Sequence, residues 1–208
     1  MLLHIHPDNP QPRNIQTVVD TLKQGGVIIY PTDTIYGLGC DIYNAKAIER
    51  IARIKEINPK KANFSFVCSD LSHLSDYTKI ISTPIFRILK NSLPGPYTFI
   101  LPASKEVPKL LKSKKDTVGI RIPKHQITQD IVTRLGHPIM SVSLPMNADI
   151  DVAYYSDPEI IYDVFGSRVD LVVDGGIGGI VPSTIIDCTG GFPELVREGA
   201  GAWESIVE

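Results

Sequence analysis

The sequence predicts a single α/β domain built around a twisted, mixed β-sheet with flanking helices. Short apolar segments of strand length alternate with amphipathic helical segments early in the chain, and strands cluster toward its end. This order is typical of the class. The chain has 208 residues and shows neither internal repeats nor a low-complexity linker, so we assign residues 1–208 to one domain.

The first elements are predicted from the spacing of apolar residues. We expect a strand around His4 and His6, since two histidines without a third ligand nearby do not predict a metal site. Residues 14–24 carry apolar side chains on one helical face, and Gly25 is a suitable helix end. Residues 27–30 form a β-branched apolar run with the length of a buried strand.

A hydroxyl-rich loop is expected after Pro31, which must end the strand's hydrogen-bond ladder. It contains Thr32, Asp33 and Thr34, followed by glycines at positions 37 and 39. Small polar side chains beside glycines, which let a ligand approach the backbone, suit the binding of a small polar ligand. The alternative is a tight turn between two strands.

The remaining elements follow from the same patterns. Asn44 is placed to cap a helix whose buried face carries Ile48, Ile51 and Ala52. Further helices are predicted at residues 70–77, 84–91, 107–112, 126–135 and 158–165. Further strands are predicted at residues 64–68, 97–101, 118–122, 139–144, 169–174, 184–187 and 194–197.

Composition argues against several functional classes. The net charge is -2 at pH 7 and the pI about 6.2, so a broad basic nucleic-acid surface is not indicated, although a local basic patch stays open. The three cysteines are far apart and odd in number, which argues against a disulfide scaffold and against paired zinc ligands. We expect a cytoplasmic protein without a signal peptide, and no apolar run approaches the roughly eighteen residues of a membrane span.

Two cations are candidate site residues. Lys55 lies near the end of the helix that Asn44 begins, where a positive charge also complements the helix dipole. Arg121 lies between isoleucines in a predicted strand, so it needs either a ligand or a salt-bridge partner if it points inward. The glycine-rich run Gly175–Gly179 lacks the spacing of known phosphate-binding loops, and a connection is the better interpretation.

Five motifs follow one another in the order of a known family. They are Pro31–Leu38 (Pro-Thr-Asp-Thr-x-Tyr-Gly-Leu), Pro94–Thr98, Val118–His125, Pro182–Asp187 and Val196–Gly199. Together they resemble the YrdC-like family, whose best-known members are threonylcarbamoyl-AMP synthases. The resemblance covers nearly the whole chain and is closest to the YciO branch, whose members keep the fold but depart from the synthase pattern. It implies a concave cleft over the sheet.

The resemblance also implies roles for individual residues. Thr34, Arg121 and Ser183 would hold the amino-acid substrate, and Lys55 would be catalytic. The residues expected to face the nucleotide are Lys55, Asn63, Thr98, Ser141, Ser143 and Arg197. Thr32 and Thr184 are secondary candidates. No metal-binding residue is expected.

Two positions depart from the synthase pattern. Synthases have Lys-x-Arg where this chain has Lys55-Glu56-Ile57, and Ser-x-Asn where it has Ser143-Leu144-Pro145. Isoleucine cannot replace the planar two-pronged donor of arginine, and proline offers neither the side-chain donor nor the acceptor of asparagine. Asn63 matches another family asparagine only with a loop about two residues longer.

The leading function implied by the resemblance joins L-threonine, bicarbonate and ATP into threonylcarbamoyl-AMP, with release of pyrophosphate and with Mg²⁺, for modification of tRNA. The incomplete motifs lead us to expect weak or altered activity. One alternative is a non-catalytic paralogue that binds double-stranded RNA or tRNA through lysine-rich loops near Lys60 and at residues 112–115. Another is a carbamoyl-adenylate enzyme with a different acceptor, as in hydrogenase-maturation domains. The sequence leaves the oligomeric state open.

Overall fold

One mixed sheet joins ten strands in a computed structural model that describes residues 1–58, 64–111, 116–145 and 155–207. The strands are β1 (Leu2–His4), β2 (Ile28–Tyr30), β3 (Gly37–Asp41), β4 (Ser65–Val67), β5 (Tyr97–Pro102), β6 (Thr117–Arg121), β7 (Ile139–Ser143), β8 (Leu171–Asp174), β9 (Thr184–Asp187) and β10 (Glu194–Arg197). Their order across the sheet is β1-β8-β2-β3-β7-β4-β6-β5-β9-β10.

The sheet contains both parallel and antiparallel strand pairs. Strand β8 pairs in parallel with β1 and β2, while β3 pairs antiparallel with β2 and β7. Strand β6 pairs in parallel with β4 and antiparallel with β5, and β9 pairs in parallel with β5. The predicted α/β class with a mixed sheet is therefore confirmed.

The helices begin and end at residues that the local sequence specifies. They are α1 (Pro12–Lys23), α2 (Ala45–Ile54), α3 (Leu74–Tyr77), α4 (Thr83–Ser92), α5 (Gln126–Leu135), α6 (Pro158–Phe165) and α7 (Glu204–Val207), with a 3-10 turn at Leu71–His73. The Asn44 side chain caps α2 by accepting a 3.0 Å hydrogen bond from the backbone N of Ala47. Gly136 ends α5 in the left-handed conformation, with φ of 86°. In the described part of the chain, no helix is long and apolar enough to cross a membrane.

Apolar cores lie on both faces of the sheet. The apolar run at residues 27–30 begins one residue before β2. Ile28 and Tyr30 pack in one core, and Val27 and Ile29 pack in the other, as the two-residue alternation of a strand requires. Helices α1 and α5 cover the first core. Helices α2, α4 and α6 contribute to the second. All four residues of this run are fully buried, so the strand fixes the start of the hydroxyl-rich loop that follows it.

Three elements differ from the sequence prediction. Gly37 and Gly39, interpreted as part of a ligand loop, lie in the central strand β3. This strand pairs antiparallel with β2, so residues 31–36 connect two strands. A Cβ at Gly39 would lie 2.9 Å from the Tyr30 ring, so this glycine makes room for a neighbouring side chain. The helix predicted at residues 107–112 is absent from its described part, residues 107–111, and α7 was not predicted.

Candidate functional site

A cavity of about 200 Å³ opens against the middle of the sheet. Seven strands that are neighbours in the sheet, β3, β7, β4, β6, β5, β9 and β10, contribute to it. Its lining residues are Ile35, Tyr36, Gly37, Lys55, Ile57, Ser65, Val67, Thr98, Arg121, Ser141, Val142, Ser143, Pro182, Ser183, Ile185 and Arg197. The polar members are hydroxyls and cations, which suits an anionic ligand with several oxygens.

Arg121, at the end of β6, reaches the loop that follows β2. Its Nη2 donates to Thr32 Oγ1 at 3.1 Å, to Asp33 Oδ1 at 2.6 Å, and to Thr34 Oγ1. Its Nε is buried and has no hydrogen-bond partner among the described residues. A buried N–H donor without an acceptor is costly. Of the two alternatives predicted for Arg121, the salt bridge is present, and the Nε donor is left without a partner among the described residues.

Asp33 contacts Arg121 from outside the cavity lining, and it is not among the candidates predicted from the sequence. Its Oδ2 accepts a 2.9 Å hydrogen bond from the backbone N of Lys124, and its side chain is only 10% exposed, against 12% for Arg121. The sequence signal for Asp33 was its position between the two candidate hydroxyl residues Thr32 and Thr34. Its partner lies 88 residues further along the chain, so neither pattern nor spacing could identify the pair.

Ser183 and Thr98 are paired within the cavity lining. Their hydroxyl oxygens are 2.9 Å apart, and both side chains are nearly fully buried. Arg197 Nη2 donates to the backbone O of Ser183 at 2.7 Å. Burial, and to a lesser extent the positive charge of Arg121, lower the pKa of Arg197 from its ordinary value. Both guanidinium groups line the same cavity, where each favours an anion.

Lys55 enters the cavity from the end of α2. Its Nζ donates to the backbone O of Leu144 at 3.2 Å and to Ser143 Oγ at 3.4 Å. Burial lowers the pKa of Lys55. The next residue, Glu56, has φ of 54°, a left-handed conformation that turns the chain so that Lys55 and Ile57 both line the cavity. An apolar side chain therefore lies where the family motif has an arginine.

Ser141 is held by a buried tyrosine. Tyr30 donates from its hydroxyl to Ser141 Oγ at 2.7 Å, and burial raises the pKa of Tyr30 to about 12. Because Tyr30 is the donor, the Ser141 hydroxyl keeps its own proton for an acceptor in the cavity. Its neighbour on the same face of β7, Ser143, is exposed.

The other candidates are placed differently. Thr32 and Thr34 do not line the cavity but accept from Arg121. Thr184 is fully buried, accepts from the backbone N of Gly199 at 2.8 Å and donates to the backbone O of Gly201, so it ties β9 to the chain end. Asn63 lies outside the described residues.

The cavity does not form a magnesium site by itself. Its lining contains no carboxylate among the described residues, whereas protein-bound Mg²⁺ takes one or two carboxylates together with phosphate oxygens. Asp33 is close, but its charge is paired with Arg121. No group of three or more His, Cys, Asp or Glu residues that could hold a metal occurs in the described ranges.

Comparison with known proteins gives consistent results. A family model named Sua5_yciO_yrdC and described as "Telomere recombination" matches residues 20–199. The uncharacterized protein YciO of Escherichia coli is 46% identical over 199 residues, 95% of each chain. A threonylcarbamoyl-AMP synthase of Coxiella burnetii is 32% identical over 166 residues, which are 80% of this chain and 87% of the synthase.

Solved structures agree on the fold. The crystal structure of E. coli YciO has a TM-score of 0.91 at 43% identity and covers 99% of this chain and 98% of its own. The structure of P. abyssi Sua5 complexed with L-threonine has a TM-score of 0.87 at 24% identity. That match covers 99% of this chain but 59% of the Sua5 chain, and at this identity it shows the shared fold alone.

Proposed function

The chain belongs to the Sua5–YciO–YrdC family, and from that premise we propose that it is a threonylcarbamoyl-AMP synthase-like protein with weak or altered activity. It binds L-threonine and ATP in the cavity over the sheet. Bicarbonate is the third substrate, and the product is used to modify tRNA. The 32% identity to a synthase of C. burnetii supports the reaction class. The buried, reduced cysteines suit a cytoplasmic protein.

The observation that carries this proposal is the unpartnered Nε of Arg121. Beside it, Thr34 bonds to the same guanidinium, and Ser183 lines the same cavity. A carboxylate oxygen at Nε would satisfy the buried donor, and charge-assisted hydrogen bonds of this kind are among the strong ones. The amino-acid half of the ligand therefore binds at the end of β6.

The nucleotide half faces Lys55, Thr98, Ser141, Ser143 and Arg197. In the proposed reaction the threonine amine attacks the carbon of bicarbonate, and water leaves as the carbamate forms. A carbamate oxygen then attacks the α-phosphorus of ATP and displaces pyrophosphate. Fixed cations and hydroxyl donors stabilise the charge that develops on the phosphates. The products are threonylcarbamoyl-AMP, pyrophosphate and water.

Altered activity is proposed because the part of the cavity assigned to the nucleotide has fewer side-chain hydrogen-bond donors than the synthase pattern. Ile57 lines the cavity in place of the family arginine. Lys55 donates to the backbone O of Leu144, in the motif where synthases have an asparagine side chain. Losing one oriented donor to developing charge lowers a rate by about a hundredfold or more.

The experiment is threonine-dependent release of pyrophosphate by the purified protein with ATP, bicarbonate and Mg²⁺, followed by mass spectrometry of the adenylate. Slow release with the expected adenylate mass supports the proposal. Release that is independent of L-threonine, or an adenylate of another mass, points to a different acceptor. No turnover by the folded protein contradicts the synthase assignment.

RNA binding is a second candidate because of one observation outside the cavity. A groove of about 410 Å³ is lined by Arg50, Arg53 and Arg168, together with Ile54 and Glu56. Arginines in a groove suit phosphate oxygens. Binding of this kind weakens steeply with salt, by about one logarithmic unit of affinity per logarithmic unit of salt for each phosphate contacted. Affinity for duplex RNA that does not change with salt excludes this candidate.

A further inference from the structure

Asp33 and two threonines occupy the Arg121 nitrogen that adjoins Nε. A guanidinium presents two-pronged edges, one of which is formed by Nε and one N–H of Nη2. Nη2 carries two N–H groups, and three acceptors lie against it, namely Thr32 Oγ1, Asp33 Oδ1 and Thr34 Oγ1. Nη2 therefore has no hydrogen left for a ligand. On this edge only Nε is without a partner among the described residues.

The Asp33 carboxylate is itself fixed. Its second oxygen accepts from the backbone N of Lys124 at 2.9 Å, just beyond the strand that carries Arg121. The loop around it is closed by Thr32, whose Oγ1 accepts from the backbone N of Thr34 at 3.1 Å and donates to the backbone O of Ile35 at 2.7 Å. Because both carboxylate oxygens are used and the side chain is only 10% exposed, Asp33 cannot rotate away at low cost.

We infer that Asp33 is a positioning residue that, together with Thr32 and Thr34, restricts this edge of Arg121 to one donor, and that its charge makes the subsite selective for a monoanion. Asp33 offsets the charge of Arg121 locally, so a carboxylate gains one charge-assisted hydrogen bond at Nε. A dianionic phosphate would need the two-pronged edge and net positive charge. The edge is occupied by Thr32, Asp33 and Thr34 together, and Asp33 offsets the charge. Phosphate groups then bind at Lys55 and Arg197. This inference rests on the proposed function, which supplies the amino-acid carboxylate.

The test compares Asp33→Asn with a matched control. Asp170 also pairs with an arginine, Arg50, and accepts from a backbone N, that of Val27, but it is not among the residues that line the cavity. Arginine Nε–H signals of ¹⁵N-labelled protein are recorded by NMR, and the Arg121 signal is assigned by its loss in Arg121→Lys. The rate of Nε–H exchange with water reports how firmly the guanidinium is held, without any ligand.

In Asp33→Asn we expect this exchange to accelerate by at least about tenfold, because a charge-assisted hydrogen bond is lost. Asp170→Asn should leave it unchanged. In parallel titrations, the affinity ratio of inorganic phosphate to L-threonine should rise by about tenfold in Asp33→Asn. Backbone spectra check the fold, and Asp33→Ser replaces Asp33→Asn if that variant does not fold.

Each outcome decides a separate point. Unchanged Nε–H exchange in the folded variant overturns the positioning role. Faster exchange with an unchanged affinity ratio overturns the selectivity for a monoanion. Faster exchange in the variant, together with a wild-type protein that does not respond to L-threonine, refutes the amino-acid part of the proposed function and leaves the role of Asp33 intact.

Discussion

The hydroxyl oxygens of Thr98 in β5 and Ser183, just before β9, are 2.9 Å apart across two parallel strands. The family resemblance assigns Thr98 to the nucleotide and Ser183 to the amino acid. The two predicted halves of the site are therefore in direct contact, and a ligand that spans both displaces or uses this hydrogen bond.

Thr98→Val tests how much this contact stabilises the fold. Valine keeps the shape of threonine but leaves the Ser183 hydroxyl without this partner, which costs about 1–3 kcal/mol when the group is buried. We expect the free energy of unfolding, measured in urea, to fall by that amount. Adding Ser183→Ala should then cost little more, since the unpaired group is removed; full additivity of the two changes would show that the hydroxyls are not coupled.

Ile57→Arg tests the cause of the reduced activity. The arginine returns a two-pronged donor to the cavity beside Lys55, and we expect threonine-dependent pyrophosphate release to rise by about tenfold to a hundredfold. Ile54→Arg is the control, because Ile54 is also partly buried against the same core but lines the arginine groove. Equal effects of the two substitutions would show that added charge alone is responsible.

We expect the protein to lose stability in mild acid because His125 is partly buried. Its Nδ1 is buried without a hydrogen-bond partner among the described residues. Burial lowers its pKa, while the charges of Asp33 and Asp8 act in the opposite direction with smaller effect. Because the folded-state pKa is below the unfolded value of about 6.5, the unfolded state takes up the proton first. The contribution of His125 to the free energy of unfolding should therefore be fully present well above pH 6.5 and be lost as the pH falls through about 6.5 toward the lower folded-state pKa.

Urea denaturation of His125→Gln between pH 7.5 and pH 5.5 checks this assignment. The variant should lose less stability over this interval than the wild-type protein, since glutamine does not titrate. Identical pH profiles would show that another group is responsible.

Gly39→Ala tests why β3 contains glycine. The added Cβ would lie 2.8 Å from Ile139 Cγ2, 2.9 Å from the backbone O of Met140 and 2.9 Å from Tyr30 Cε1. Overpacking of this kind costs about 1–3 kcal/mol, so we expect a clear fall in the thermal midpoint. Gly190→Ala, whose Cβ meets nothing within 4 Å, should have no such effect. Similar midpoints for the two variants would refute the packing role.

Local signals predicted most of the fold. The Asn44 cap, the Gly136 helix end and the ranges of α5 and α6 depend on neighbouring residues alone, and they are confirmed. Strand β3 was missed because Gly37 and Gly39 look like loop residues unless the ring of Tyr30 on the next strand is known. Tertiary packing outweighs propensity there.

The candidate site was predictable only through the family resemblance. Composition and spacing suggested that Arg121 needs a partner, but they could not identify Asp33, 88 residues away in sequence. Nor could they show that Ile57 turns into the cavity, which depends on the backbone conformation of Glu56. Contacts between distant residues are fixed by the sheet order, and this order was not readable from the chain.

Isothermal calorimetry of wild-type protein and Arg121→Ala tests most directly whether Arg121 binds the carboxylate of L-threonine, as proposed. Wild-type protein should bind L-threonine, Arg121→Ala should lose that binding, and Arg50→Ala should retain it. Circular dichroism confirms that each variant is folded. Equal affinity of the wild-type protein and folded Arg121→Ala would contradict the account.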